Sequence, residues 1–103
     1  MKQKTSKLRN LEAKRYSIIT DDLKHCYFCR SGGCLDVHEV FGGANRKMSM
    51  IHGFCVPLCR NCHIKITNNV LMSVPLKKMC QEIYELKHTR SEWMKIIGRN
   101  YLW

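Results

Sequence analysis

With 103 residues, the chain suits one domain that buries only roughly 65% of the surface its unfolded form exposes, so a single modest core is expected. Eighteen Lys and Arg against eight Asp and Glu give a formal charge of +10, which points to a polyanionic partner, nucleic acid above all, without naming the chemistry. No run of about 18 apolar residues occurs, which excludes a membrane-spanning helix.

The chain opens on MKQKTSKLRNLEAKRY, polar and basic and without the apolar stretch of a signal peptide. The seven cysteines are therefore expected to be reduced thiols of a soluble, intracellular protein. Residues 1–20 read as a basic arm, with Lys2, Lys4, Lys7, Arg9, Lys14 and Arg15 against one acid, Glu12. Residues 21–103 read as the folded domain. Of the arm, Arg9, Lys14 and Arg15 are candidates for contact with nucleic-acid phosphates.

From Cys26 to His63 the texture changes to Cys, Gly and short apolar runs. Leu35 to Phe41 and Phe54 to Leu58 have strand length, separated by turn-prone Gly42, Gly43, Asn45 and Gly53, which predicts strand, long loop, strand. Past Pro75, placed in the first turn of a helix, Leu76, Met79, Cys80, Ile83 and Leu86 recur at three- and four-residue steps and form one apolar stripe. Thr89 with Glu92 three residues on is a capping-box pattern, and Gly98 marks where that last helix should stop.

Two CxxC pairs, Cys26 and Cys29 in CYFC and Cys59 and Cys62 in CRNC, carry the strongest chemical signal. A two-residue gap lets both sulfurs of a knuckle face one tetrahedral zinc at about 2.3 Å. Buried thiols are the plainer explanation, but two such knuckles in one intracellular chain favour structural zinc, which would be coupled directly to folding. Cys55 and Cys80 read as core residues, while Cys34 is the substitute ligand should the pairing differ. Between the knuckles lie residues 30–58, longer than the roughly 15–20 residues of an ordinary paired-knuckle site, so the excess must form a structure of its own. That excess contains LDVHEVFGGANRK, with His38 and Glu39 on a strand, and ends at CRNCH, where His63 follows the last cysteine directly. His25, His52 and His88 read as surface or packing residues.

Taken together, CxxC, VHEVFGGANRK, LCxxCH and the C-terminal GRNYL resemble the HNH, or ββα-metal, nucleases, in particular small phage proteins of that family, from about Cys26 to the C-terminus. The resemblance implies an α+β, zinc-stapled ββα-metal (His-Me finger) domain flanked by the basic arm and C-terminal helices. It implies a metal-dependent DNA endonuclease that hydrolyses phosphodiester bonds, with DNA as partner. His38 would be one ligand of a catalytic divalent ion, His63 the second at the start of a helix, and Glu39 would stand in the position of the base. Glu39 departs from the family's usual histidine there, so His38 as base remains the alternative. Asn68 is the choice for a third ligand, and Asn45 or Asn61 would fix the loop. Magnesium or manganese is the expected ion, with zinc or nickel as alternatives. Arg46 and Lys47, just past the Gly-Gly turn, would hold the phosphate backbone. A homodimer or a phage-encoded partner, and the host cytoplasm as location, follow from the same likeness. The rival reading is a noncatalytic zinc module that binds nucleic acid on a degenerate HNH fold.

Overall fold

The computed structural model describes residues 16–102. Among them the chain forms two strands and four helices. Strand β1 (Asp36–Glu39) pairs antiparallel with β2 (Cys55–Leu58), in the register Asp36↔Leu58, Val37↔Pro57, His38↔Val56 and Glu39↔Cys55. Both strands fall inside the apolar runs of the sequence. All four residues of β2 are buried, whereas β1 is half-exposed, so β2 carries the inner side of the hairpin.

Pro57 in the middle of β2 looks out of place, since proline cannot donate to a ladder. Its carbonyl accepts the Tyr27 N–H at 2.8 Å, on the side away from β1. The proline nitrogen therefore faces outward as well, and no β1–β2 bond is lost. The same contact fastens the first CxxC segment to the strand.

The long connection between the strands holds a 3₁₀ turn, Gly43–Asn45, and a helix, α1 (Arg46–His52), where the sequence pattern predicts only a loop. RKMSMIH is too short to show a 3.6-residue stripe, and what holds it is a single buried hydroxyl. Ser49 Oγ accepts from the Phe41 N–H at 3.1 Å and donates to the Phe41 carbonyl at 2.8 Å, while the Ser49 carbonyl accepts from the Phe54 N–H at 2.8 Å. Both ends of the connection are thus sewn to one residue. Gly53 caps α1 with φ +72°, and a Cβ there would lie 2.6 Å from the Tyr16 ring, so only glycine fits. Arg46 and Lys47, just past the Gly-Gly turn, lie in the first turn of this helix.

Helix α2 (Arg60–Thr67) follows β2 directly, with Cys59 as its N-cap. Helix α3 (Val70–Tyr84) starts earlier than the Pro75 signal predicts, because Asn69 caps it by accepting the Leu71 N–H at 3.0 Å. Pro75 sits inside the helix and leaves the Leu71 carbonyl without its usual helical donor. Helix α4 (Arg90–Ile96) begins at the Thr89–Glu92 capping box, with both reciprocal bonds formed, and Gly98 takes φ +84° just past its end.

The core gathers Phe41, Phe54, Tyr84 and Trp93, with neighbouring ring centroids 5.4–6.1 Å apart. Leu58, Ile66, Leu76 and Cys80 extend it toward α2 and α3. Buried Gln81 binds the C-terminal segment: its amide donates to Glu85 and to Asn100, and its carbonyl accepts the Tyr101 N–H at 2.8 Å. Residues 16–20, assigned to the arm from sequence, dock on the hairpin. Ser17 Oγ donates to the Cys55 carbonyl, and the Ile18 N–H to the Gly53 carbonyl. Arg9, Lys14 and Arg15 lie outside the described residues. Among those described, no helix is long and apolar enough to cross a membrane.

Candidate metal centre and histidine pair

The four knuckle cysteines converge. The sulfurs of Cys26, Cys29, Cys59 and Cys62 all lie within 4.8 Å of one another, and Cys29 and Cys59 stand 3.6 Å apart. Tetrahedral zinc–sulfur bonds of about 2.3 Å put sulfurs roughly 3.8 Å apart, so the spacing fits a shared cation. The backbone builds each half. In the first knuckle Arg30 N–H bonds the Cys26 carbonyl, Cys26 N–H bonds the Ser31 carbonyl, and Arg30 adopts φ +66° to reverse the chain. The second knuckle is the first turn of α2, which brings Cys62 back beside Cys59.

The thiols differ in acidity. Burial pushes the Cys26 thiol up, but hydrogen bonds from the Cys29, Cys59 and Phe28 backbone outweigh it and bring it to about 6. Burial, and then the surrounding sulfurs, push Cys62 up to about 12. A hydrogen bond with the Ser31 side chain first, then one with its backbone, also holds the exposed Cys29 thiol below the ordinary range, so the raised thiol of Cys62 is the one a cation would have to draw into its ionised form. The cluster can therefore hold a metal ion. Cys34 is exposed and stands apart from it, while Cys55 and Cys80 are buried, as their apolar settings predict.

Beside the cluster, β1 and α2 bring together two histidines that are distant in sequence. The rings of His38 and His63 pack with centroids 5.2 Å apart at 70°. His63 lies on α2 directly after Cys62, so the knuckle fixes where it stands. Its Nδ1 is 2.9 Å from Asp36 Oδ2, and Asp36 also meets Arg60 at 3.5 Å. Asp36 and His38 are two residues apart on a strand and so share a face, which is the face toward α2. Burial first, then the charge of His63, holds His38 below the ordinary histidine range, so its ring is neutral with a lone pair to offer at neutral pH. The hydrogen bond from His63, then Arg60, holds the Asp36 carboxyl below the usual carboxylate range.

The other sequence-derived residues stand at different distances from this pair. Glu39, one residue on from His38, belongs to the opposite face of β1, where its carboxylate is 3.6 Å from the Arg46 guanidinium. Asn68, the C-cap of α2, donates its amide to the Ile64 carbonyl at 3.1 Å and lines a shallow groove with Arg60, His63, Ile64 and Thr67. Asn45 does hold its loop, by donating to the Ile97 carbonyl at 2.9 Å. His25 pairs with Asp22, His52 stacks on Phe54, and His88 stacks on Tyr84. Sequence reasoning passed over Asp36. Its position two residues before His38 was the available signal, since alternation along a strand puts the two on one face.

Comparisons with protein families, with curated proteins and with solved structures find no match to this chain.

Proposed function

We propose that the protein is a metal-dependent DNA endonuclease of HNH type that hydrolyses phosphodiester bonds. The observation that supports it is the meeting of His38 and His63, one from a strand and one from the helix that follows the hairpin, at a point beside the cysteine cluster. Two imidazoles sharing a cation through bonds of about 2.1 Å would have their centroids roughly 5 Å apart, which agrees with the separation seen. The order strand, long connection, strand, helix is the order the resemblance calls for.

In this reading Cys26, Cys29, Cys59 and Cys62 hold structural zinc, a soft thiolate set that zinc suits. His38 and His63 hold a divalent ion, magnesium or manganese in the first instance, with Asn68 as the candidate third ligand. Such an ion supplies charge neutralisation at the scissile phosphate. The resemblance puts Glu39 in the position of the base, but alternation sets it on the face of β1 opposite the histidine pair, beside Arg46; His38 is the alternative. Arg46 and Lys47, at the start of α1, are the candidate phosphate contacts among the described residues, Arg9, Lys14 and Arg15 are candidates from sequence, and the formal charge of +10 favours DNA as partner.

One observation favours a second reading. Among the described residues, the cysteine quartet is the one group of three or more metal-donor side chains that converge. A zinc module that binds nucleic acid without cutting it needs no more than that. Plasmid nicking across Mg²⁺, Mn²⁺, Zn²⁺ and Ni²⁺ separates the two. The nuclease is expected to nick with at least one added ion and to lose this on His63→Ala with its fold intact. His38→Ala and Glu39→Gln tell which group is the base. DNA binding with no nicking under any ion would leave the second reading.

A further inference from the structure

His63 has two ring nitrogens, and a cation needs one of them bare. In water, neutral histidine favours the proton on Nε2, which would leave the other nitrogen, Nδ1, as the free donor. Here Nδ1 is 2.9 Å from Asp36 Oδ2. An ionised carboxylate only accepts, so this contact requires the proton to sit on Nδ1. In the neutral ring, Nε2 is then the bare nitrogen.

We propose that Asp36 is the positioning residue of the histidine pair: its carboxylate takes the Nδ1 proton of His63 in a hydrogen bond, fixes the tautomer, and leaves the Nε2 lone pair of His63 for a divalent cation shared with His38. This rests on the reading of His63 as a metal ligand. Three features of the fold converge on it. Asp36 and His38 share the α2-facing side of β1, so one strand supplies both the orienting group and the partner ligand. Helix α2 begins at the second knuckle, so the backbone of His63, one residue after Cys62, stands beside the cysteine cluster. Arg60, one turn before His63, meets the other oxygen of the same carboxylate at 3.5 Å and favours its ionised, accepting form. A carboxylate behind a ligating histidine both orients the ring and raises its basicity.

The test reads the proton directly. Long-range proton–nitrogen NMR correlations of the ¹⁵N-labelled full chain, zinc-loaded and near neutral pH, are expected to show His63 with Nδ1 protonated and Nε2 bare. In Asp36→Ala the proton is expected to move to Nε2, whereas Asp36→Asn, which keeps an acceptor oxygen, retains the original form in part. Titration with Mn²⁺ alone, followed by broadening of the His38 and His63 ring signals, is expected to show affinity about 10–100-fold weaker in Asp36→Ala. A wild-type His63 with its proton on Nε2 overturns the proposal even if Asp36→Ala does not fold, and so does equal Mn²⁺ affinity in the two proteins. A wild type that takes up Mn²⁺ at the pair and cuts no DNA sinks the nuclease reading and leaves the role of Asp36 standing.

Discussion

With a metal ion held at the cysteine cluster as proposed, stripping it by a chelator, or by combining Cys59→Ser with Cys62→Ser, would cut the tie between the first knuckle and the start of α2. From Cys26 to Cys59 the closed loop spans 34 residues. Treated as a cross-link, releasing it returns about 4 kcal/mol of chain entropy to the unfolded state. A domain of this size has only about 5–15 kcal/mol in total. Each kcal/mol lowers the midpoint of a small domain by about 4–8 °C, so the melting temperature should drop by roughly 15–30 °C. The local effects add to this, because buried Cys26 and Cys62 would face one another with no cation between them. Thermal unfolding followed by circular dichroism, with and without chelator, reads the effect, and zinc added back should restore it in the wild type but not in the double variant. A melting temperature that moves by less than a few degrees in both arms would refute the argument, since the loop would then be closed by packing alone.

Two further outcomes follow from groups away from the cluster. Gln81→Ala removes the acceptor of the Tyr101 N–H and the donor to Asn100, and it should cost about 2–3 kcal/mol in urea denaturation; a loss well under 1 kcal/mol would show that the C-terminal segment is held by its rings and not by this side chain. Burial first, then the charge of His88, holds the His52 ring below the ordinary histidine range. The unfolded chain therefore binds a proton at this position more readily than the folded one. Stability is unaffected above about pH 6.5 and declines as pH falls from there toward the folded value. His52→Gln should flatten stability against pH over that window relative to wild type, and an unchanged slope would place the titration elsewhere.

Much of this was legible in the residues. The CxxC pairs announce their own geometry, because a knuckle is local and its sulfurs can converge only one way. The Thr89–Glu92 cap and the apolar stripe of α3 are local in the same sense. What stayed hidden depends on contacts between distant segments. Helix α1 is held by Ser49 against Phe41, and nothing within RKMSMIH itself encodes that bond. Pro75 misled because a proline is a start signal by habit, while the cap that starts α3 is Asn69. Asp36 and His63 meet only because the hairpin folds back beneath α2. The separation of Glu39 from His38 across the strand needed nothing more than alternation, and a family pattern in which the two are adjacent in sequence drew attention away from it.

Pro57 has a consequence for how molecules behave in company. A two-stranded hairpin offers bare edges to any passing extended chain, and such edges seed association. On the β2 side the outward carbonyl of Pro57 is already taken by Tyr27, and the outward nitrogen has no proton to give. A newcomer strand would find neither partner at the centre of that edge. Concentrated solutions of the folded protein are thereby guarded against sheet extension along β2, and Pro57→Thr would restore a donor there and weaken that protection.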